Sequence, residues 1–166
     1  MQLITEARIG EVVDIKQNLE SEAVDRALPV PPLCVEPTTT VREVLTLLKQ
    51  HDSGSCLICR EGVLVGIFTE RDALRLMASS GDLDAKIESV MVPNPTAVPA
   101  DVTVAEAIQT MFQGGYRRLP AIDAEGHPVK MVKTSGIVHY LVEHFPSTVY
   151  NLPPVTQPMT QEREGS

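Results

Sequence analysis

A threonine and an aspartate stand three residues apart in the stretch GIFTERDAL, Gly66 to Leu74. The first half, apolar, β-branched and aromatic, reads as a strand; the charged second half reads as the start of a helix. At that junction Thr69 is placed to cap the helix with its hydroxyl on the Asp72 amide, and Asp72 to reciprocate as in a capping box. A carboxylate in the first turn also suits the helix dipole. Cys56 and Cys59 form a C-x-x-C, a spacing used for thiol exchange and for metals. They lie in SCLIC, which reads as a buried strand, where residues three apart face opposite sides. No second cysteine pair follows, so neither use is expected. His51, His127, His139 and His144 are scattered; the last two share a helix but sit five apart, off one face. No Ser/His/Asp order, no G-x-x-x-x-G-K loop and no paired catalytic carboxylates occur, so no enzyme is expected.

The elements that must position these residues come from a chain of 166 residues, enough for one domain or two small ones. Hydrophobic residues make up 43%, aromatics 4%, and tryptophan is absent, so aliphatic side chains must fill the core. Fourteen basic against twenty-two acidic residues give a net charge of −8. That disfavours nucleic acid as the main partner, since phosphate backbones need a basic field. Apolar runs are short, so no membrane span is expected. The N-terminal MQLITEARIGEVVD lacks the layout of a secretion signal. The three cysteines, Cys34, Cys56 and Cys59, have no framework spacing, which suits free thiols and a cytoplasmic location.

An internal duplication organises the chain. VEPTTTVREVLTLLKQ starts at Val35 and VPADVTVAEAIQTMFQ at Val98, an offset of 98 − 35 = 63. Val35, Thr40, Val41, Glu43 and Gln50 recur as Val98, Thr103, Val104, Glu106 and Gln113. Each copy opens with a Pro-rich extended piece. A helix with apolar spacing follows, then two short strands joined by a Gly turn, then a second helix near 70–77 or 134–144. The expected fold is α/β (α+β), two β-α-β-β-α units burying their sheets against each other as one pseudo-symmetric module. The expected organisation is an N-terminal segment with a short helix (1–30), a first repeat (31–80), a second repeat (87–145) and an extended or disordered tail (146–166).

Three motifs, PTTTVREV with its partner ADVTVAEA, RRLPAID and GIFTERD, together resemble paired cystathionine-β-synthase (CBS) domain proteins. The resemblance covers roughly residues 9–145. It implies a non-catalytic regulatory module that binds an adenosine-containing ligand (AMP, ADP, ATP or S-adenosylmethionine) between the repeats. It also implies a homodimer acting on a regulated protein. The alternative is a dimerising scaffold whose ligand sites have decayed.

The resemblance implies that Thr69 contacts ribose or phosphate and that Asp72 accepts from the ribose hydroxyls, as an acceptor-only carboxylate can. Arg117 or Arg118 would reach the phosphates, with one of the two entering the cleft and Arg71 facing solvent. An apolar adenine slot would draw on Cys34, Pro37 and Thr38 from the first lead-in, with Cys56, Leu57 and Ile67. The second copy departs from the pattern: Lys133 stands where Thr69 does and Gly136 where Asp72 does. Lys133 is left to hold a phosphate or to be solvated. One adenosine site per chain is expected, and Gly136→Ala is expected to leave binding almost unchanged.

Overall fold

The structure, a computed structural model, describes residues 15–146. Expectations for the IGEVVD piece and for the tail beyond residue 146 lie outside them. Residues 15–21 form helix α1, followed by a 3-10 turn at Val24–Ala27. The first copy comprises β1 (Cys34–Val35), α2 (Val41–Gln50), β2 (Ser55–Arg60), β3 (Val63–Thr69) and α3 (Glu70–Ala78). A 3-10 turn (Ile87–Ser89) and β4 (Val92–Pro93) lead to the second: β5 (Val98–Pro99), α4 (Val104–Gly114), β6 (Arg118–Ile122), β7 (Pro128–Lys133) and α5 (Thr134–His144). The duplicated β-α-β-β-α plan is therefore the fold.

Local chemistry repeats with it. Thr40 and Thr103 cap α2 and α4, and Glu43 and Glu106 close capping boxes on them. The backbone N–H and then the hydroxyl of each threonine hold these two carboxyls below the usual carboxylate range. Gly62 and Gly126 take φ of 84° and 90° at the two hairpin turns, a region where a Cβ is strained.

Strand order is β1-β2-β3-β4 in one sheet and β5-β6-β7 in the other. In each copy the lead-in strand runs parallel to the next, and the hairpin is antiparallel. The order places the linker strand β4, not β1, beside β3. Between the sheets lies a thin layer of Leu57, Cys59 and Met131, with Val30, Leu64 and Ile67 partly buried against it.

The two main cores each borrow from the segment before the other copy. Val41, Val44, Ile58, Phe68 and Ala73 of the first copy enclose Ile87 of the linker. Val24 and Ala27, which precede the first copy, are fully buried among Val104, Ala107, Ile137 and Tyr140 of the second. Backbone bonds fix both crossings: Val24 N–H donates to Val102 O (2.9 Å), and Ile87 N–H to Thr39 O (2.8 Å). The segment 15–30 thus packs on the module, and specifically on its distal copy.

Candidate functional site

The strand-to-helix junction at Thr69 opens onto a cleft of about 260 Å³. Thr69 and Asp72 form the capping box. Asp72 Oδ2 accepts from the Thr69 amide at 2.9 Å and from its hydroxyl at 2.6 Å. Both donors use one oxygen; Oδ1 lies 3.6 Å from Arg75 and, among the described residues, accepts no hydrogen bond. The Asp72 side chain is 12% exposed. A shielded carboxylate with a free acceptor oxygen is suited to hydroxyl donors such as a cis-diol.

The opposite wall belongs to the second copy. Tyr116, Arg117 and Arg118 line the cleft with Gly115, where α4 ends in a left-handed turn (φ 65°). Arg118 is the first residue of β6 and crosses toward the first copy, where its guanidinium lies 3.7 Å from Glu70 Oε2. Gly54 makes this crossing possible, because a Cβ there would overlap the Arg118 guanidinium. Both arginines reach the cleft, contrary to strict strand alternation, because Arg117 precedes the strand and is free of its pleat. Arg71 is exposed, yet it stands on the rim with Arg75. Arg71, Arg75, Arg117 and Arg118 line the cleft with two carboxylates, Asp72 and Glu70, which ion-pair with Arg75 and Arg118; such a set can hold a phosphorylated polyol.

The expected adenine slot is distributed differently. Ile67 and Val92 line the cleft. Cys34, Pro37, Thr38, Cys56 and Leu57 do not. Cys34 pairs with Leu57 on the side of β2 away from β3, and it opens on another cavity. Pro37 is buried, with its carbonyl accepting from Glu88; Thr38 is exposed in the turn before α2. Cys56 belongs to the first core and Leu57 to the layer between the sheets. The linker supplies the wall beside β3, and no local pattern in the sequence announces that adjacency. Glu70, Arg75 and Val92 were missed; Arg75 could have been found from its helical spacing to Asp72.

Lys133 ends β7 as Thr69 ends β3. Its register partner is Arg118, whereas that of Thr69 is Ser55. Arg118 therefore stands at the position equivalent to Ser55, and Lys133 is not in the cleft of Thr69. At Gly136 a Cβ would overlap the carbonyl oxygen of Ala27. The chain's own backbone thus sits where a carboxylate would begin. Gly136→Ala, expected to leave binding almost unchanged, should nonetheless lower stability: overpacking against backbone costs about 1–3 kcal/mol. A melting-temperature drop of several degrees in thermal denaturation checks this.

Other clusters are structural. Asp123 Oδ1 accepts from the backbone N–H groups of Glu125 and His127 at the β6–β7 turn, and Oδ2 lies 3.1 Å from His127 Nδ1. His139 lies 3.6 Å from Glu143 on the exposed side of α5. Among the described residues no helix is long and apolar enough to cross a membrane.

Two copies of one unit, sheets facing, with a polar cleft contributed by both, define a tandem-repeat module. The family model "CBS domain" matches residues 24–79 and 87–143, and the chain belongs to that family. An uncharacterised 17.7 kDa protein of Acidianus ambivalens is 31% identical over 110 residues, 66% of each chain. A CBS domain protein of Pyrobaculum aerophilum, solved with AMP, superposes with a TM-score of 0.65 at 23% identity, covering 77% of this chain and 96% of that one. CBSX2, also solved with AMP, gives 0.66 at 22% identity over 74% and 98%. This chain spans between 20% and 66% of the length of the first curated relatives it matches.

Proposed function

We propose that the chain is a non-catalytic regulatory module, cytoplasmic, that senses an adenosine-containing ligand in the Thr69 cleft. The observation that carries this reading is the pairing, across one cleft, of a capped and shielded Asp72 with Arg117 and Arg118 from the other copy. Asp72 would hold the ribose, Arg118 and Arg117 the phosphates, and Ile67 and Val92 the base. AMP in two proteins of similar fold supports an adenine nucleotide. The second copy, with Lys133 in place of Thr69 and Gly136 packed against Ala27, would hold none. A thermal-shift series with AMP, ADP, ATP and S-adenosylmethionine tests the reading. A ligand at 100 times its Kd stabilises by about 2.7 kcal/mol, a shift of several degrees. No shift with any of them at millimolar concentration sinks the sensor and leaves the scaffold.

The module is proposed to act as a homodimer on a regulated protein. Leu74 of α3 and Val138 of α5 occupy equivalent positions, 138 − 74 = 64 apart, and are 68% and 51% exposed; Phe112 of α4 is 87% exposed. Apolar residues left bare at matching places on both copies suit a two-fold partner surface. Light scattering at tens of micromolar should give twice the chain mass. Leu74→Asp with Val138→Asp should give the chain mass with unchanged far-ultraviolet dichroism. A monomeric wild type contradicts the dimer.

A further inference from the structure

The fold re-pairs the thiols. β2 turns Cys56 into the first core and Cys59 into the layer between the sheets. Next to β2, β1 runs parallel with Cys34 opposite Leu57 and Val35 opposite Ile58. Residues two apart on a strand share a face, so Cys34, Leu57 and Cys59 lie on one side of the sheet. Cys34 and Cys59 both line a second cavity, of about 450 Å³ and open to solvent, together with Glu36, Gly62 and His127. Cys34 is exposed; Cys59 is 5% exposed. The C-x-x-C lies along one strand, with its thiols on opposite faces, while the spatial pair spans two strands.

We propose that Cys34 and Cys59 form an oxidisable pair. Cys34 reacts with a low-molecular-weight disulfide, and Cys59 resolves the adduct into an intramolecular disulfide. In the first step the Cys34 thiolate attacks one sulfur of RS–SR, its S–S bond breaks, and RS⁻ leaves with a mixed disulfide at Cys34. In the second, Cys59 gives its proton to solvent through the open cavity and attacks Cys34 Sγ, expelling the other RS⁻. The net change is two protein thiols oxidised to one disulfide and one small disulfide reduced to two thiols.

Accessibility and electrostatics assign the order. The outer thiol meets the oxidant first. The contact with Cys59 holds Cys34 below the ordinary thiol range against the opposing effect of burial, while the same contact and then burial push Cys59 well above it. An exposed thiol favoured as thiolate beside a shielded reduced neighbour is the arrangement of an attacking and a resolving cysteine. β1 is two residues long and pairs only with β2, so it can make the small approach that an S–S bond of about 2.05 Å requires. The loop so closed contains all of α2, so oxidation would clamp that helix to its sheet. Cys56 takes no part: burial pushes its thiol up to about 12.

The test uses the reduced full chain with oxidised glutathione, read by intact mass and by peptide mapping after alkylation under denaturing conditions. The expected product is lighter by two hydrogens, carries a linked Cys34–Cys59 peptide, and leaves only Cys56 to alkylate. Cys59→Ser should accumulate one glutathione on Cys34, Cys34→Ser should stay reduced, and Cys56→Ala should behave as wild type. A stable glutathione adduct on Cys34 of the wild type with Cys59 still alkylatable overturns the proposal. A disulfide between two chains, or three thiols left free after treatment, overturns it as well. The wild-type map decides without any variant having to fold.

Discussion

Asp72→Asn is expected to weaken adenine-nucleotide binding by about 10- to 100-fold while leaving the fold intact. A hydrogen bond to a charged group contributes about 1.5–3 kcal/mol, which converts to that range. On the proposed reading one atom decides it. Oδ2 is taken by the Thr69 amide and hydroxyl, so a ribose diol has Oδ1 to bond to. Asparagine offers one acceptor and one donor in place of two acceptors. Either its oxygen caps Thr69 and its amide meets the diol, or the reverse; one set of hydroxyl or amide donors then loses its acceptor. As a cap alone, Asp72 would account for about 1 kcal/mol or less of stability and nothing in affinity. Titration calorimetry of wild type and variant with AMP, ADP and ATP, alongside melting curves, separates the two roles. Equal affinity in the variant would remove Asp72 from the site.

Val24→Asp is expected to be the most damaging single change among those considered, although it lies outside both repeats as the sequence delimits them. The side chain is fully buried in the second copy's core, packed with Val104, Ala107 and Tyr140. A carboxylate there loses the apolar contacts and gains an unpaired buried charge, a combination that costs more than about 4 kcal/mol. Against a total stability of about 5–15 kcal/mol, that removes a large share of it. For a chain of this size the melting temperature should fall by roughly 10 °C or more. A surface linker would tolerate the same change within about 0.5 kcal/mol. Thermal denaturation followed by circular dichroism distinguishes the outcomes, and a shift of only a degree or two would mean that Val24 is not part of the core.

The residues that were legible in the sequence are those whose role is local. Thr40 with Glu43 and Thr103 with Glu106 announce two helix starts at the repeat offset, and both capping boxes form. Thr69 with Asp72 announces a third. The hairpins follow from Gly62 and Gly126, and the alternation along SCLIC places Cys56 and Cys59 on opposite faces. What was not legible depends on chain segments meeting from far apart. Which strand borders β3 decides whether Cys34 or Val92 sees the cleft, and nothing in either segment encodes that choice by itself. Gly136 looks like a lost carboxylate until the Ala27 carbonyl, 109 residues earlier, is found against it (136 − 27 = 109). Arg118 reads as a strand end, and only Gly54 explains how its guanidinium enters the other copy.

Because residues 15–30 complete the distal copy while Ile87 and β4 complete the proximal one, the chain is laced rather than strung. A cut near residue 82, in the exposed stretch after α3, would not yield two independent halves. Each fragment would carry a piece that the other needs: Val24 and Ala27 on one, Ile87 and Val92 on the other. Neither fragment alone is expected to close its core, and mixing the two is expected to rebuild both. Recovery of a cooperative melting transition on mixing two such peptides would report their reassembly and, with it, the cleft between Asp72 and Arg118.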